Sequence, residues 1–171
     1  MLLNLDRARE QMERHNVDAL VAARAENILY LTDCEGHLTT GLFGQPSEFY
    51  PSYFAILPRR DDIPPTFICP PSMFGYLVDQ PTWIPDVRMW GEAASSVPSL
   101  DQLQGDSRQF AEALLKGRER GLPGPAQTAL VTALQEMGLA QARLGVDDPI
   151  LLDRLKGTEL GGAGLVEAYE L

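Results

Sequence analysis

The chain has 171 residues, is 44% hydrophobic and 22% charged, and carries a formal net charge of -10. That length suits one domain with a real core, and the composition excludes wholesale disorder. So acidic a surface repels phosphate backbones and anionic membranes, so neither nucleic acid nor a membrane is an expected partner.

The N-terminus MLLNLDRARE carries charge from Asp6 onward with no apolar h-region, and a signal peptide is not expected. No apolar run approaches the ~20 residues needed to span a bilayer. Two cysteines, Cys34 and Cys69, are free thiols or a single disulfide. They do not make a disulfide scaffold, which makes the cytoplasm the expected compartment.

In chain order, Leu5 to His15 reads as a helix with Asn4 as N-cap, Leu5, Ala8 and Met12 falling on one side. Ala19 to Ala23 reads as a buried strand and Glu26 to Leu31 as a short helix. Residues 34 to 52 form an irregular stretch of Gly, Pro and aromatics. Tyr53 to Leu57 is a second strand, ended by Pro58 and the turn Arg59-Arg60-Asp61-Asp62. Thr66 to Cys69 is a third strand, Pro71 to Val78 opens a helix, and Val87 to Trp90 is a fourth strand.

Ser107 to Arg120 follows as a helix, with Phe110, Leu114 and Leu115 apolar. Pro125 to Met137 is another, with Leu130, Leu134 and Met137 on one face and Gly138 just past its end. Arg143 to Val146 is a fifth strand. Asp148-Pro149 starts a helix to Lys156, closed by Gly157, and Gly164 to Ala168 is a sixth strand. Strands alternating with helices predict an α/β domain whose sheet is covered on both faces, the tandem helices from Ser107 to Met137 fitting one layer. No internal repeat is visible.

Motifs for chemistry are sparse. His37 with Cys34 and Glu35 could form a zinc site, but four ligands are the usual structural set and no second cluster is visible. The plainer reading is a polar loop. Cys34 and His37 could be imagined as thiol and base, yet a spacing of three in a loop gives no geometry. Cys69 ends an apolar strand and reads as buried and inert. His15 suits the C-terminal end of a helix dipole. No nucleophile elbow and no phosphate-binding glycine motif is present; Gly161-Gly162-Ala163-Gly164 reads as a turn. The pairs Asp61-Asp62 and Asp147-Asp148 could supply carboxylates to a two-metal site. Asp61-Asp62 sits in a turn, Asp148 has work enough as an N-cap before Pro149, and Asp147 has no assignment.

The segment from Cys34 to Pro51 is long for a connection inside a domain. Leu42, Phe43, Phe49 and Tyr50 stand there beside Glu35 and His37. Such a mixture suits an interface or pocket rim, or a cap on one end of the core.

The early residues carry a resemblance. A helix with Arg7 and Met12, then Val17-Asp18-Ala19-Leu20-Val21, then Asn27-Ile28-x-Tyr30-Leu31-Thr32, is similar to the start of the creatinase, prolidase and aminopeptidase P family. Weaker likeness continues in the strand ending at Pro58, the strand ending at Pro70, Trp90, and Leu144-Gly145-Val146-Asp147. Where the family commonly has Gly and then an aromatic residue after Tyr-Leu-Thr, this chain has Asp33 and Cys34.

The resemblance implies a three-layer α/β domain, a mixed sheet of roughly six strands with helices on both faces, of ribonuclease H-like type. It implies residues 1–171 as a single N-terminal domain, with a pita-bread catalytic domain following in the full protein. There, two Asp, one His and two Glu hold two divalent metal ions (Mn, Co or Zn) that activate water, although creatinase works without metal. The implied activity of the parent is hydrolysis of Xaa-Pro bonds in small peptides, this domain being inactive alone. Its implied partners are its own catalytic domain and a second subunit in a homodimer. On that resemblance Tyr30, Glu35, His37, Phe43 and Tyr50 are candidates to line the substrate entrance, aromatic rings facing a prolyl ring, Glu35 an amine and His37 a carboxylate or carbonyl. Alternatives are a creatinase-like C–N hydrolase domain, a free-standing binding module, and an independent small hydrolase using Cys34 or the paired acids.

Overall fold

The computed structural model describes residues 2–34, 53–91, 100–119, 122, 124–162 and 164–168. Helix α1 (Leu5–Arg14) opens on Asn4, whose side chain accepts from the Arg7 amide at 3.0 Å. It turns Met12 into the core and ends at Asn16, which takes φ 52 so that the Val17 amide can reach the Met12 carbonyl at 2.7 Å. That turn feeds strand β1 (Ala19–Ala22) directly into the centre of the sheet.

Five more strands complete the sheet: β2 (Phe54–Pro58), β3 (Thr66–Cys69), β4 (Asp86–Met89), β5 (Arg143–Val146) and β6 (Gly164–Glu167). Their order is β4-β3-β2-β1-β5-β6. Strand β2 runs antiparallel to both β1 and β3, while β1–β5, β3–β4 and β5–β6 pair in parallel. All of β2 and β3 is buried, as expected for strands covered on both faces, whereas the edge strands β4 and β6 are partly open.

Alternate strand residues feed two cores. On one face Ala22, Ala55, Leu57, Phe67 and Met89 meet Met12 of α1, Ile28 and Leu31 of α2 (Ala25–Thr32), Leu77 of α3 (Phe74–Asp79) and Leu114 of α4 (Gly105–Glu119). On the other, Val21, Phe54, Ile56, Ile68, Leu144 and Val146 meet Leu130 and Leu134 of α5 (Ala126–Glu136) and Leu151 and Leu155 of α6 (Pro149–Lys156). This is the three-layer, mixed six-stranded α/β arrangement expected from the sequence.

Most predicted elements stand within a residue or two of their expected bounds. The stretch from Pro71 begins as a 3-10 turn (Pro71–Met73) before α3, and β4 starts at Asp86 rather than Val87. One expectation is corrected: the tandem helices from Ser107 to Met137 do not share a layer. Ala111 and Leu114 of α4 pack in the first core, and Ala129, Leu130, Ala133 and Leu134 of α5 in the second. Leu122 explains the split, because it pairs in parallel with Trp90 just beyond β4 and carries the chain around the sheet edge.

Candidate functional site

A buried polar cluster lies at the carboxyl ends of β1 and β5. These neighbours are parallel, yet β1 leads into α2 on one face and β5 into α6 on the other. Such a divergence leaves a crevice between the strand ends, where open α/β sheets commonly hold ligands. Here it is a cleft of about 480 Å³, within the ordinary range for small-molecule sites. Leu20, Ala22 and Gly145 belong to its sheet side, Gln11 and Met12 to α1, Tyr30 and Leu31 to α2, and Ala168 follows β6. Arg24, Glu26, Asn27 and Asp147 supply the other polar groups.

Asp147, the residue just past β5, is buried and organises this region. One carboxylate oxygen accepts from the Ala23 amide at 2.8 Å; the other accepts from the Arg24 amide at 3.1 Å and Asn27 Nδ2 at 2.9 Å. Arg24, at the N-cap position of α2, makes no side-chain cap bond, so a carboxylate from 123 residues away serves the first amides there. Burial pushes the Asp147 carboxyl above its ordinary value near 3.8, the Asp148 carboxylate adds to this, and the three hydrogen bonds oppose it.

The opposite end of α2 is closed by the segment before β4. Thr82 Oγ1 donates to the Thr32 carbonyl at 2.5 Å and Trp83 Nε1 to the Leu31 carbonyl at 2.9 Å. Asp33 takes φ 57, the left-handed conformation for which glycine is the usual residue. Asp33 makes this turn without a glycine. Its Oδ1 also accepts from the Leu2 amide at 2.7 Å.

Of the five entrance candidates, Tyr30 lines the cleft mouth with 46% of its surface exposed. Glu35, His37, Phe43 and Tyr50 lie outside the described residues, as does the rest of the 34–52 segment beyond Cys34. The paired-acid reading separates into four unrelated roles. Asp61 pairs with Arg9 and Asp62 with Arg60, both on exposed ground. Asp148 caps α6, accepting from the Leu151 amide at 2.7 Å, while Asp147 serves α2. Among the described residues no group of three His, Cys, Asp or Glu side chains comes together to hold a metal. Cys34 and Cys69 are both fully buried thiols, not joined in a disulfide, so Cys34 is not presented to a substrate. Burial, with the neighbouring Cys34, pushes the Cys69 thiol far up and out of the reactive range, as its place at the end of β3 suggested. Among the described residues no helix is long and apolar enough to cross a membrane.

These features define a three-layer α/β domain with a switch-point cleft and a buried carboxylate at its polar end. No family model matches the sequence, and no curated protein matches it. Among solved structures the fold is similar to that of an Xaa-Pro aminopeptidase from Streptococcus pyogenes, with a TM-score of 0.51 and 13% identity over 95% of this chain and 87% of that one. At that identity the likeness is one of fold.

Proposed function

We propose that this chain is the non-catalytic N-terminal domain of a metal-dependent Xaa-Pro peptidase, shaping substrate access and contributing to dimerisation. The observation that carries the reading is the shared fold with the aminopeptidase chain along nearly the whole length, added to the ordered run from Val17 to Thr32. In this reading hydrolysis belongs to a following catalytic domain holding two divalent ions, Mn, Co or Zn. The aromatic and polar residues of the 34–52 segment, Glu35, His37, Phe43 and Tyr50, act with Tyr30 at the substrate entrance. The cytoplasm is its proposed compartment.

The native transcript read past the codon for Leu171 tests this. Two Asp, one His and two Glu in a downstream α/β segment, with Xaa-Pro dipeptide hydrolysis by the full product and none after chelation, are the expected result. A downstream domain without those ligands points to metal-free chemistry of the creatinase kind. In the full-length enzyme, Glu35→Ala and His37→Ala should lower kcat/KM; unchanged kinetics would remove both from the entrance.

A second reading, a binding module, is favoured by one observation: this domain carries a cleft of about 480 Å³ with the buried Asp147 carboxylate at its polar end. A stop codon directly after Leu171 would favour it over the first.

A further inference from the structure

We propose that the switch-point cleft binds the ammonium end of a small, largely apolar amine, its hydrocarbon body lying on Met12, Leu20 and Gly145 and its charged end held between Glu26 and Asp147. The inference concerns this chain's own residues and stands apart from the peptidase reading.

The sign of the ligand follows from what already fills the crevice. At switch points that take phosphate, the amides at a helix N-terminus hold the anion. Here the Ala23 and Arg24 amides at the start of α2 are both bonded to Asp147, at 2.8 and 3.1 Å. The anion position is therefore occupied by the chain itself, and an anionic ligand would meet a carboxylate where it needs donors. Among the described residues, the charged side chains of the lining are Asp147, Glu26 and Arg24, and Arg24 Nε already lies 3.0 Å from Glu26 Oε1. The lining is net negative, on a chain of net charge -10.

An ammonium suits that lining. It brings three donors and no acceptor. Asp147 has accepted three bonds, which leaves roughly one of a carboxylate's four lone-pair positions. Glu26 has a side chain 63% exposed, so it can turn to a ligand at little desolvation cost. The half-exposed ring of Tyr30 offers a π-face at the mouth. The apolar walls exclude a hydrophilic polyamine and select a hydrocarbon body, as in small-molecule sites generally.

The test uses hexylammonium, with hexanol and hexanoate as probes of equal length, titrated into the 171-residue chain and followed by amide chemical shifts. Saturable shifts are expected at Ala23 to Tyr30, Gly145 and Ala168, with hexylammonium binding about tenfold or more tightly than either comparison probe. Glu26→Gln, an exposed change that leaves the fold intact, should weaken hexylammonium severalfold and leave hexanol unaltered. Ala168→Trp, filling the cleft from beyond β6, should abolish the shifts. Equal affinity for all three probes, tighter binding of hexanoate, or no saturable shift at these amides would each overturn the proposal.

Discussion

Two aspartates bracket β1, and they are held in opposite ways. Asp18, just before the strand, accepts from Arg59 at 2.7 Å and from the Arg143 amide at 2.9 Å, with its side chain 39% exposed. Asp147, across from the other end, is buried and bonded to two amides and a carboxamide, all of them uncharged donors. Both join β1 to distant chain: Asp18 to β2 and β5, Asp147 to the β1–α2 turn. The first works as a screened ion pair at the surface. The second replaces hydration by directed donors, where leaving those donors unpaired is expensive.

The largest expected effect therefore lies at Asp147. Asp147→Ala would strand the Ala23 and Arg24 amides and the Asn27 carboxamide, at a cost of about 3 kcal/mol. Urea unfolding should show a lower midpoint with an unchanged slope. A loss under about 1 kcal/mol would mean that water entering from the cleft replaces the carboxylate. Asp147→Asn keeps one acceptor and should lose roughly 1 kcal/mol. It also isolates the titration. The folded-state pKa of Asp147 is raised, so the folded protein takes up this proton first as pH falls. The stability of the wild type relative to Asp147→Asn should then rise as pH drops through the raised folded value towards the ordinary one near 3.8, and level off below it. A difference that stays flat over that window would show that the hydrogen bonds cancel the burial.

Next comes the neighbouring Asp148, whose bond to the Leu151 amide caps α6. Asp148→Ala should cost about 1 kcal/mol. At Asp18 the partners are partly exposed, and Asp18→Ala should cost about 1 kcal/mol or less. The sharper contrast is in salt. Raising ionic strength to about 1 M should shrink the Asp18 effect and leave the Asp147 effect in place. Equal salt sensitivity at the two sites would erase the distinction between a screened pair and a buried acceptor.

Much of the fold could be read along the chain because its signals are local. Asn4 before α1, Asp148-Pro149 before α6, and Gly138 after α5 each act within a few residues. The buried runs of β2 and β3 identify a sheet covered on two faces. The layer of α4 was not legible, because it depends on Leu122 pairing with Trp90 at the sheet edge, a contact between residues 32 apart. Asp147 was not legible for the same reason at greater range. Its partners are 120 to 124 residues away, and nothing near it in sequence signals them. One hint existed: an acid at the end of a strand parallel to β1, with Arg24 opening α2 without a capping side chain.

The third aspartate, Asp33, sharpens the comparison from the far end of α2. That helix starts on the Asp147 carboxylate and stops on Asp33, where a negative charge opposes the dipole. Asp33→Gly relieves the positive φ and removes the unfavourable charge, but it loses the 2.7 Å bond from the Leu2 amide and loosens the unfolded chain. These terms nearly cancel, and the net change should stay within about 0.5 kcal/mol. Asp33→Ala separates them. It loses the same bond and charge while keeping the left-handed backbone, and should be less stable than the glycine variant by about 1 kcal/mol. Equal unfolding midpoints for the two would mean that the turn after Thr32 relaxes out of the left-handed region in solution. The contrast would then lie between a rigid α2 start, fixed by Asp147, and a helix end that Thr82 and Trp83 hold without help from Asp33.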